Sequence, residues 1–239
     1  MDPHTSVIVT AYNEADVIGA TLAALTLAFP GAPLWLADDG SGDATAEIAR
    51  AAGARVVRSE RVIGKGGAAT LAAHAALAHG APGDLQGAGG RASIFVLCDG
   101  DLGESAGELA ALAEPIARGE ADLAVAAFSR RVGGGVGLAV GFARWAIRRR
   151  CGLRTVAPIS GQRALSARAL ADVLPFAHGF GMEVGMTIDA VRAGHRVAEI
   201  ELDLSHRAGG RTLAGFAHRA GQLVDFARVY LTRGRLARG

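Results

Sequence analysis

The stretch "VLCDGDL", residues 96–102, places two aspartates, Asp99 and Asp101, one residue apart at the end of an apolar run. Carboxylates are hard oxygen donors. A pair on such a turn can hold Mg2+ or Mn2+, which would bridge a substrate diphosphate. Asp-Gly-Asp alone is also a common turn, so its weight comes from its neighbours. "TAYNEAD" (10–16) and "DDGSGDAT" (38–45) follow two earlier apolar runs, and "GKGG" (64–67) opens a helical pattern. Lys65 is the only lysine in the chain. A helix N-terminus with free N–H groups and a lysine beside it suits a phosphate. Plainer readings stand beside these: a glycine turn at "GKGG", and turn chemistry at "DDGSGDAT" with Asp43 capping the next helix.

The elements that must position these residues alternate. Strands are expected at 6–11, 33–38, 54–58, 93–98 and 122–128, with helices at 14–28, 43–52, 66–79 and 105–118. Farther on come a helix at 138–150, a short strand near 159–165, a helix at 182–194, a strand at 196–203 and a last helix from about 212. Such alternation predicts an α/β fold, a mostly parallel sheet with helices on both faces. Ligands of open parallel sheets bind at the carboxyl ends of the strands, where the polar motifs collect. Glycine-rich segments at 80–92 and 129–137 are expected to move until ligands order them.

Half of the 239 residues are hydrophobic, enough for a sizeable core. The two cysteines, Cys98 and Cys151, form neither a metal spacing nor a disulfide framework, and the start of the chain lacks the basic region of a secretory signal. A cytoplasmic protein is expected. The net charge of +2 hides an asymmetry: residues 1–122 carry a net −9 and residues 123–239 a net +11. Nine arginines and no acid lie between Asp122 and Asp172. An acidic half suits a cation and a basic half an anion, although a solvated arginine-rich surface gives the same count.

"VIVTAYNEADVI", "LADDGSGDAT", "GKGG" and "VLCDGDL" resemble, in order and spacing, the GT-A-type, family-2-like glycosyltransferases over roughly residues 5–215. The resemblance implies a GT-A (Rossmann-like) domain spanning 1–239, with a nucleotide-sugar half (1–128) and an acceptor half (129–239). It implies that Thr10, Tyr12 and Glu14 line the nucleoside pocket and that Asp38 or Asp39 binds the uracil or ribose. Lys65 would approach the nucleobase or diphosphate, and Asp99 and Asp101 would form the DxD motif, Asp101 being the surer metal ligand. The run from 175 to 213, and "FSRRVGGGV", look like the glucosyl-3-phosphoglycerate synthases. Carried over, Glu183 would touch acceptor or donor sugar and His206 would be a further ligand of Mg2+ or Mn2+. "SGQRALSARAL" looks more like the polyprenyl- and dolichyl-phosphate sugar synthases, and Gly161-Gln162-Arg163 replaces the Gly-Glu-Tyr of the phosphoglycerate enzymes.

Both groups of relatives use a phosphorylated acceptor, which the basic half suggests independently. Arg130, Arg131 and Arg163 are the candidates to hold it, since a guanidinium fork matches phosphate oxygens. Metal and Lys65 would neutralise the departing nucleoside diphosphate, expected to be UDP because Thr10, Tyr12 and the Asp38–Asp39 pair resemble a uridine pocket. Asp101 and Glu183 are the candidate catalytic residues; Glu183 would be the base if the nucleophile is a hydroxyl. Segment 138–150 reads either as a helix packed on the sheet or as an interfacial helix touching the inner face of a membrane. A homodimer is compatible with the sequence, and nothing points to nucleic acid. Two other classes stay open: a nucleotidyltransferase, and a non-catalytic nucleotide-binding module.

Overall fold

The computed structural model describes residues 5–79, 93–128, 137–179, 181–204 and 225–233. The loop at 80–92, most of 129–137, Arg130, Arg131, His206 and the start of the expected last helix lie outside the described residues. Seven strands form one sheet in the order β3-β2-β1-β4-β6-β5-β7. They are β1 (Thr5–Ala11), β2 (Leu34–Asp38), β3 (Arg55–Arg58), β4 (Ile94–Asp99), β5 (Leu123–Phe128), β6 (Arg163–Ser166) and β7 (Val197–Leu202). All neighbours pair in parallel except β6, which runs antiparallel between β4 and β5. The mostly parallel sheet read from the sequence is therefore the observed one.

Helices cover both faces of this sheet, so its central strands are apolar almost without alternation, as two-sided burial requires. Val7, Ile8 and Val9 of β1 have no exposed surface. On one face β1 and β4 pack with α1 (Ile18–Ala28) and α4 (Ala110–Ala117). On the other lies α3 (Lys65–His79), which presents Ala68, Ala69, Ala72, Ala73 and Ala76. These small side chains recur at helical spacing and let α3 lie close over β1 and β2.

Three local features differ from the sequence expectation. The first helix starts at Ile18, not at 14, because Glu14 to Val17 form a turn in which Val17 N and Ile18 N both donate to Glu14 O. A 3-10 segment, Gly103–Leu109, precedes α4 in the expected helix at 105–118. A further helix, α6 (Ala167–Val173), follows β6 directly, capped by Ser166 Oγ accepting from Ala169 N at 3.2 Å. α2 is Thr45–Ala51.

Beyond the sheet, α5 (Gly137–Cys151) packs on α7 (Gly181–Arg192) and on α8, the helix at 225–232. Ala139, Ala143 and Ile147 of α5 meet Val184, Ile188, Phe226 and Val229 in a small core. Trp145 is half exposed and leans on Phe142 and Tyr230, with ring centroids 5.5 and 4.8 Å apart. Much of the apolar stripe read at 138–150 is thus covered by protein. Among the described residues no helix is long and apolar enough to cross a membrane.

Candidate active site

The carboxyl ends of β1, β2 and β4 open onto a cavity of about 390 Å3. Thr10, Tyr12, Glu14, Asp39, Lys65, Asp99 and Asp101 line it, together with Ala11, Gly64, Gly100 and Gly179. Three separate motifs meet there because the parallel register brings their strand ends level: Thr10 pairs with Ala37 on one side and with Asp99 on the other.

The two loops at the mouth are knitted together by their own polar side chains. Asn13 Oδ1 accepts from Gly42 N at 2.8 Å, and Asn13 N donates to Ser41 Oγ at 3.0 Å. Glu14 N donates to Thr45 Oγ1 and Ala15 N to Asp43 Oδ2. Asp43 also accepts from Thr45 N at 3.0 Å, but the N-cap of α2 falls on Ala44, which has no side-chain cap, so the expected cap at Asp43 is replaced by this turn bond and the cross-loop bond. The Thr45 hydroxyl bonded to Asp43 draws its carboxyl below the usual range, burial opposing. This clasp fixes Tyr12 at the rim, half exposed, and Glu14 on the wall.

The Asp38–Asp39 pair divides its tasks. Asp38 is fully buried and lies outside the cavity lining; its Oδ1 accepts from Ser41 N and its Oδ2 lies 3.3 Å from Arg58 Nε. The structure thus makes Asp38 a turn-forming residue. Asp39 reaches the cavity, and its carboxylate accepts from Ile63 N at 2.7 Å and Gly64 N at 2.9 Å. It therefore anchors the loop that delivers Lys65 to the first position of α3.

At the centre, Lys65 Nζ lies 2.6 Å from Asp99 Oδ1 and 2.7 Å from Glu183 Oε1. Burial works against the ammonium, but the charges of Asp99 and Glu183 outweigh it and hold Lys65 above the usual lysine range. Thr10 Oγ1 also donates to Asp99 Oδ1 at 3.1 Å, and Gln162 Nε2 donates to Asp99 Oδ2 at 3.0 Å. Ser160 Oγ holds the other end of that amide at 3.2 Å. Gln162 and Gly161, quoted above only as part of a motif, are thus site residues that were not singled out. A polar amide flanked by glycine and arginine, entering an apolar strand, was the available signal.

Arg163 departs from expectation. It is 1 % exposed, donates from Nε to Ser160 O and from Nη1 to Thr187 Oγ1, and leaves Nη2 buried without a hydrogen-bond partner. Burial pulls its pKa down to about 10 against the opposing influence of Glu183 and Glu199. A guanidinium so enclosed braces α7 through Thr187 and is not among the residues that line the cavity. Glu183, 5 % exposed in the first turn of α7, does reach the centre through Lys65. Cys98, beside Asp99, is buried, and burial pushes its thiol up, as for an unreactive core cysteine.

Among the described residues, no three His, Cys, Asp or Glu side chains cluster as a metal site. The donors on offer are the two carboxylates of the Asp-Gly-Asp turn. That set fits a hard octahedral cation that keeps water and substrate phosphate oxygens for its other positions.

A nucleotide-sized cavity at the strand ends of a mixed α/β sheet, walled by paired carboxylates and one lysine, defines a nucleotide-handling enzyme of the GT-A type. The chain belongs to glycosyl transferase family 2, whose model matches residues 6–150, and it is a nucleotide-sugar-dependent glycosyltransferase. A search of curated proteins returns no significant match. Among solved structures, it is similar to glucosyl-3-phosphoglycerate synthase from Mycobacterium tuberculosis in complex with phosphoglyceric acid. That match has a TM-score of 0.73 and 25% identity, covering 98% of this chain and 81% of that one. The same synthase with Mg2+ and UDP matches with a TM-score of 0.72 and 27% identity over 98% and 81% of the two chains. With Mn2+ and UDP-glucose the values are 0.72 and 28%, over 98% and 80%.

Proposed function

We propose that the enzyme transfers a sugar from a UDP-sugar to a small phosphorylated acceptor such as 3-phosphoglycerate, with Mg2+ or Mn2+ as cofactor. The observation that carries this reading is the position of Lys65, held between Asp99 on the nucleotide side and Glu183 on α7. One cation thereby stands where a diphosphate leaving group and an acceptor must meet. The synthase structures bound to UDP, UDP-glucose and phosphoglyceric acid support both ends of the reading.

In this scheme Tyr12 offers a ring face to the base, and Thr10, Glu14 and Asp39 bound the nucleoside. Asp101, assisted by Asp99, would hold the metal; His206, outside the described residues, is a candidate third ligand. A metal held there would supply positive charge to offset the negative charge developing on the diphosphate leaving group. Lys65 donates hydrogen bonds to the same oxygens, a fixed charge that needs no reorganisation during the reaction. Glu183 orients the acceptor, and where the nucleophile is a hydroxyl it accepts that proton. Arg130 and Arg131, also outside the described residues, are candidates to hold the acceptor phosphate.

A lipid acceptor is the second reading, and the half-exposed Trp145 beside Arg144, Arg148 and Arg149 is what speaks for it. The burial of Ala139, Ala143 and Ile147 favours the soluble acceptor. The deciding experiment incubates enzyme, Mg2+ and radiolabelled UDP-sugars with 3-phosphoglycerate in water, or with a polyprenyl phosphate in detergent. Sugar transfer to 3-phosphoglycerate is expected. Transfer to the polyprenyl phosphate alone would overturn the soluble reading, and transfer from GDP-sugars only would overturn the donor.

A further inference from the structure

The ammonium of Lys65 is shared between two carboxylates that come from distant parts of the chain. Asp99 ends β4 and Glu183 opens α7, and each has an oxygen within 2.7 Å of Nζ. The two are not held equally. Asp99 is fixed independently by Thr10 and Gln162. Among the described residues, Lys65 is the one ion-pair partner of Glu183. Both groups also lie close to Gly161, where an added Cβ would come within 2.6 Å of Lys65 Nζ and Asp99 Oδ2. With Asp99 held by donors of its own, the contact free to open when a new anion draws on Lys65 is the one with Glu183.

We infer that Lys65 couples the two substrate subsites: Glu183 holds it back from the donor diphosphate, and donor binding releases Glu183 for the acceptor. This deepens the proposed function and rests on the reading that a diphosphate lies over Asp99, Asp101 and Lys65. Before the donor arrives, Glu183 is a buried carboxylate neutralised by an ammonium and is a poor hydrogen-bond acceptor for anything else. Once Lys65 turns to the phosphates, Glu183 regains its lone pairs at the moment an acceptor is needed. The order of events is donor first, acceptor second. Because such coupling is reciprocal, a change on the acceptor side must alter donor affinity.

The test measures UDP and inorganic pyrophosphate binding by calorimetry, each with Mg2+, on the unaltered enzyme, Glu183→Gln, Lys65→Met and the double variant. Glu183→Gln is expected to bind both ligands more tightly, by roughly 5–150-fold, the usual span of coupling between sites. The gain is expected to vanish without Lys65. Equal affinity in Glu183→Gln would overturn the inference. So would a gain that persists in the Lys65→Met background, since that is a general field effect of one carboxylate. Should Lys65→Met fail to fold, the single lysine supplies a second readout, because 15N-lysine labelling yields one Nζ signal. Pyrophosphate is expected to move that signal in the unaltered enzyme and to do so at lower concentration in Glu183→Gln; a signal indifferent to pyrophosphate in both would overturn the inference. If UDP does not bind while pyrophosphate shows the coupling, the inference stands and the donor reading falls.

Discussion

Asp99 and Asp101 are one residue apart and are not equivalent. Three donors, from Lys65, Thr10 and Gln162, converge on Asp99, so its chief task is to hold Lys65 in place. Asp101 lines the same cavity and is the residue expected to hold the metal. Loss of mere supporting partners of a metal ligand lowers metal affinity by roughly 10–100-fold, so loss of the ligand should do at least as much. Asp101→Ala is expected to abolish the enhancement of UDP binding by Mn2+ with little change in melting temperature. Calorimetry that finds the enhancement intact would remove Asp101 from the metal site. Gly161→Ala tests Asp99 and Lys65 from the other side. The added methyl meets no backbone atom and crowds only Asp99 and Lys65, so the strain falls on this ion pair: the variant is expected to keep its fold yet lose nucleotide affinity about tenfold or more, a value in the range of one displaced charged hydrogen bond. Unchanged UDP affinity would show that the ion pair has no part in donor binding.

At the scale of elements, most of the site was legible because parallel strands bring their carboxyl ends level, and the motifs at 10–16, 38–45 and 96–102 each follow an apolar strand. What the sequence could not reveal was which carboxylates those loops consume internally. Asp38 and Asp43 look as functional as Asp39 and Asp101 in one dimension, and only the loop pairing through Asn13 and Ser41 separates them. The burial of Arg163 was hidden for a related reason. An arginine usually keeps its head in water, and nothing local signals that α7 will cover this one with Thr187. The α3 approach is a packing demand of another kind: a Cβ on Gly66 would come within 1.9 Å of Ala177 O, a backbone atom. Gly66→Ala is expected to destabilise the fold by about 1–3 kcal/mol or more through overpacking, in contrast to Gly161→Ala, and denaturant melts of the two side by side would check this. A third variant probes the sheet. Asp122 accepts from Arg196 N at 2.9 Å and Nε at 3.0 Å, joining the starts of β5 and β7. The Arg196 side chain holds its carboxyl below the ordinary 3.8, burial opposing. The stabilisation is therefore complete above that ordinary value and is lost as pH falls through the lower folded one. Asp122→Asn is expected to melt earlier than the unaltered enzyme at pH 7, with the gap closing under strongly acidic conditions. A gap independent of pH would mean that the charge contributes nothing.

Across the whole molecule, charge is segregated along the chain, with a net −9 before residue 123 and a net +11 after it. The acidic half supplies β1 to β4 and the cavity wall; the basic half supplies β5 to β7 and α5 to α8. A donor that arrives with its divalent cation is largely neutralised, so an acidic wall does not repel it. An anionic acceptor has no such escort and depends on the field of the basic half. Long-range attraction of this kind is screened over a Debye length of about 8 Å at physiological ionic strength and about 3 Å at 1 M. The acceptor KM is therefore expected to rise several-fold as salt increases across that range, while the affinity for UDP with Mg2+ changes less and kcat is nearly constant. Steady-state kinetics with 3-phosphoglycerate at several potassium chloride concentrations, alongside calorimetry with UDP, would measure both slopes. Equal slopes would mean that the charge asymmetry reflects composition alone. A steeper dependence for the acceptor would tie the arginine-rich second half to acceptor capture, with its exposed arginines supplying the long-range field.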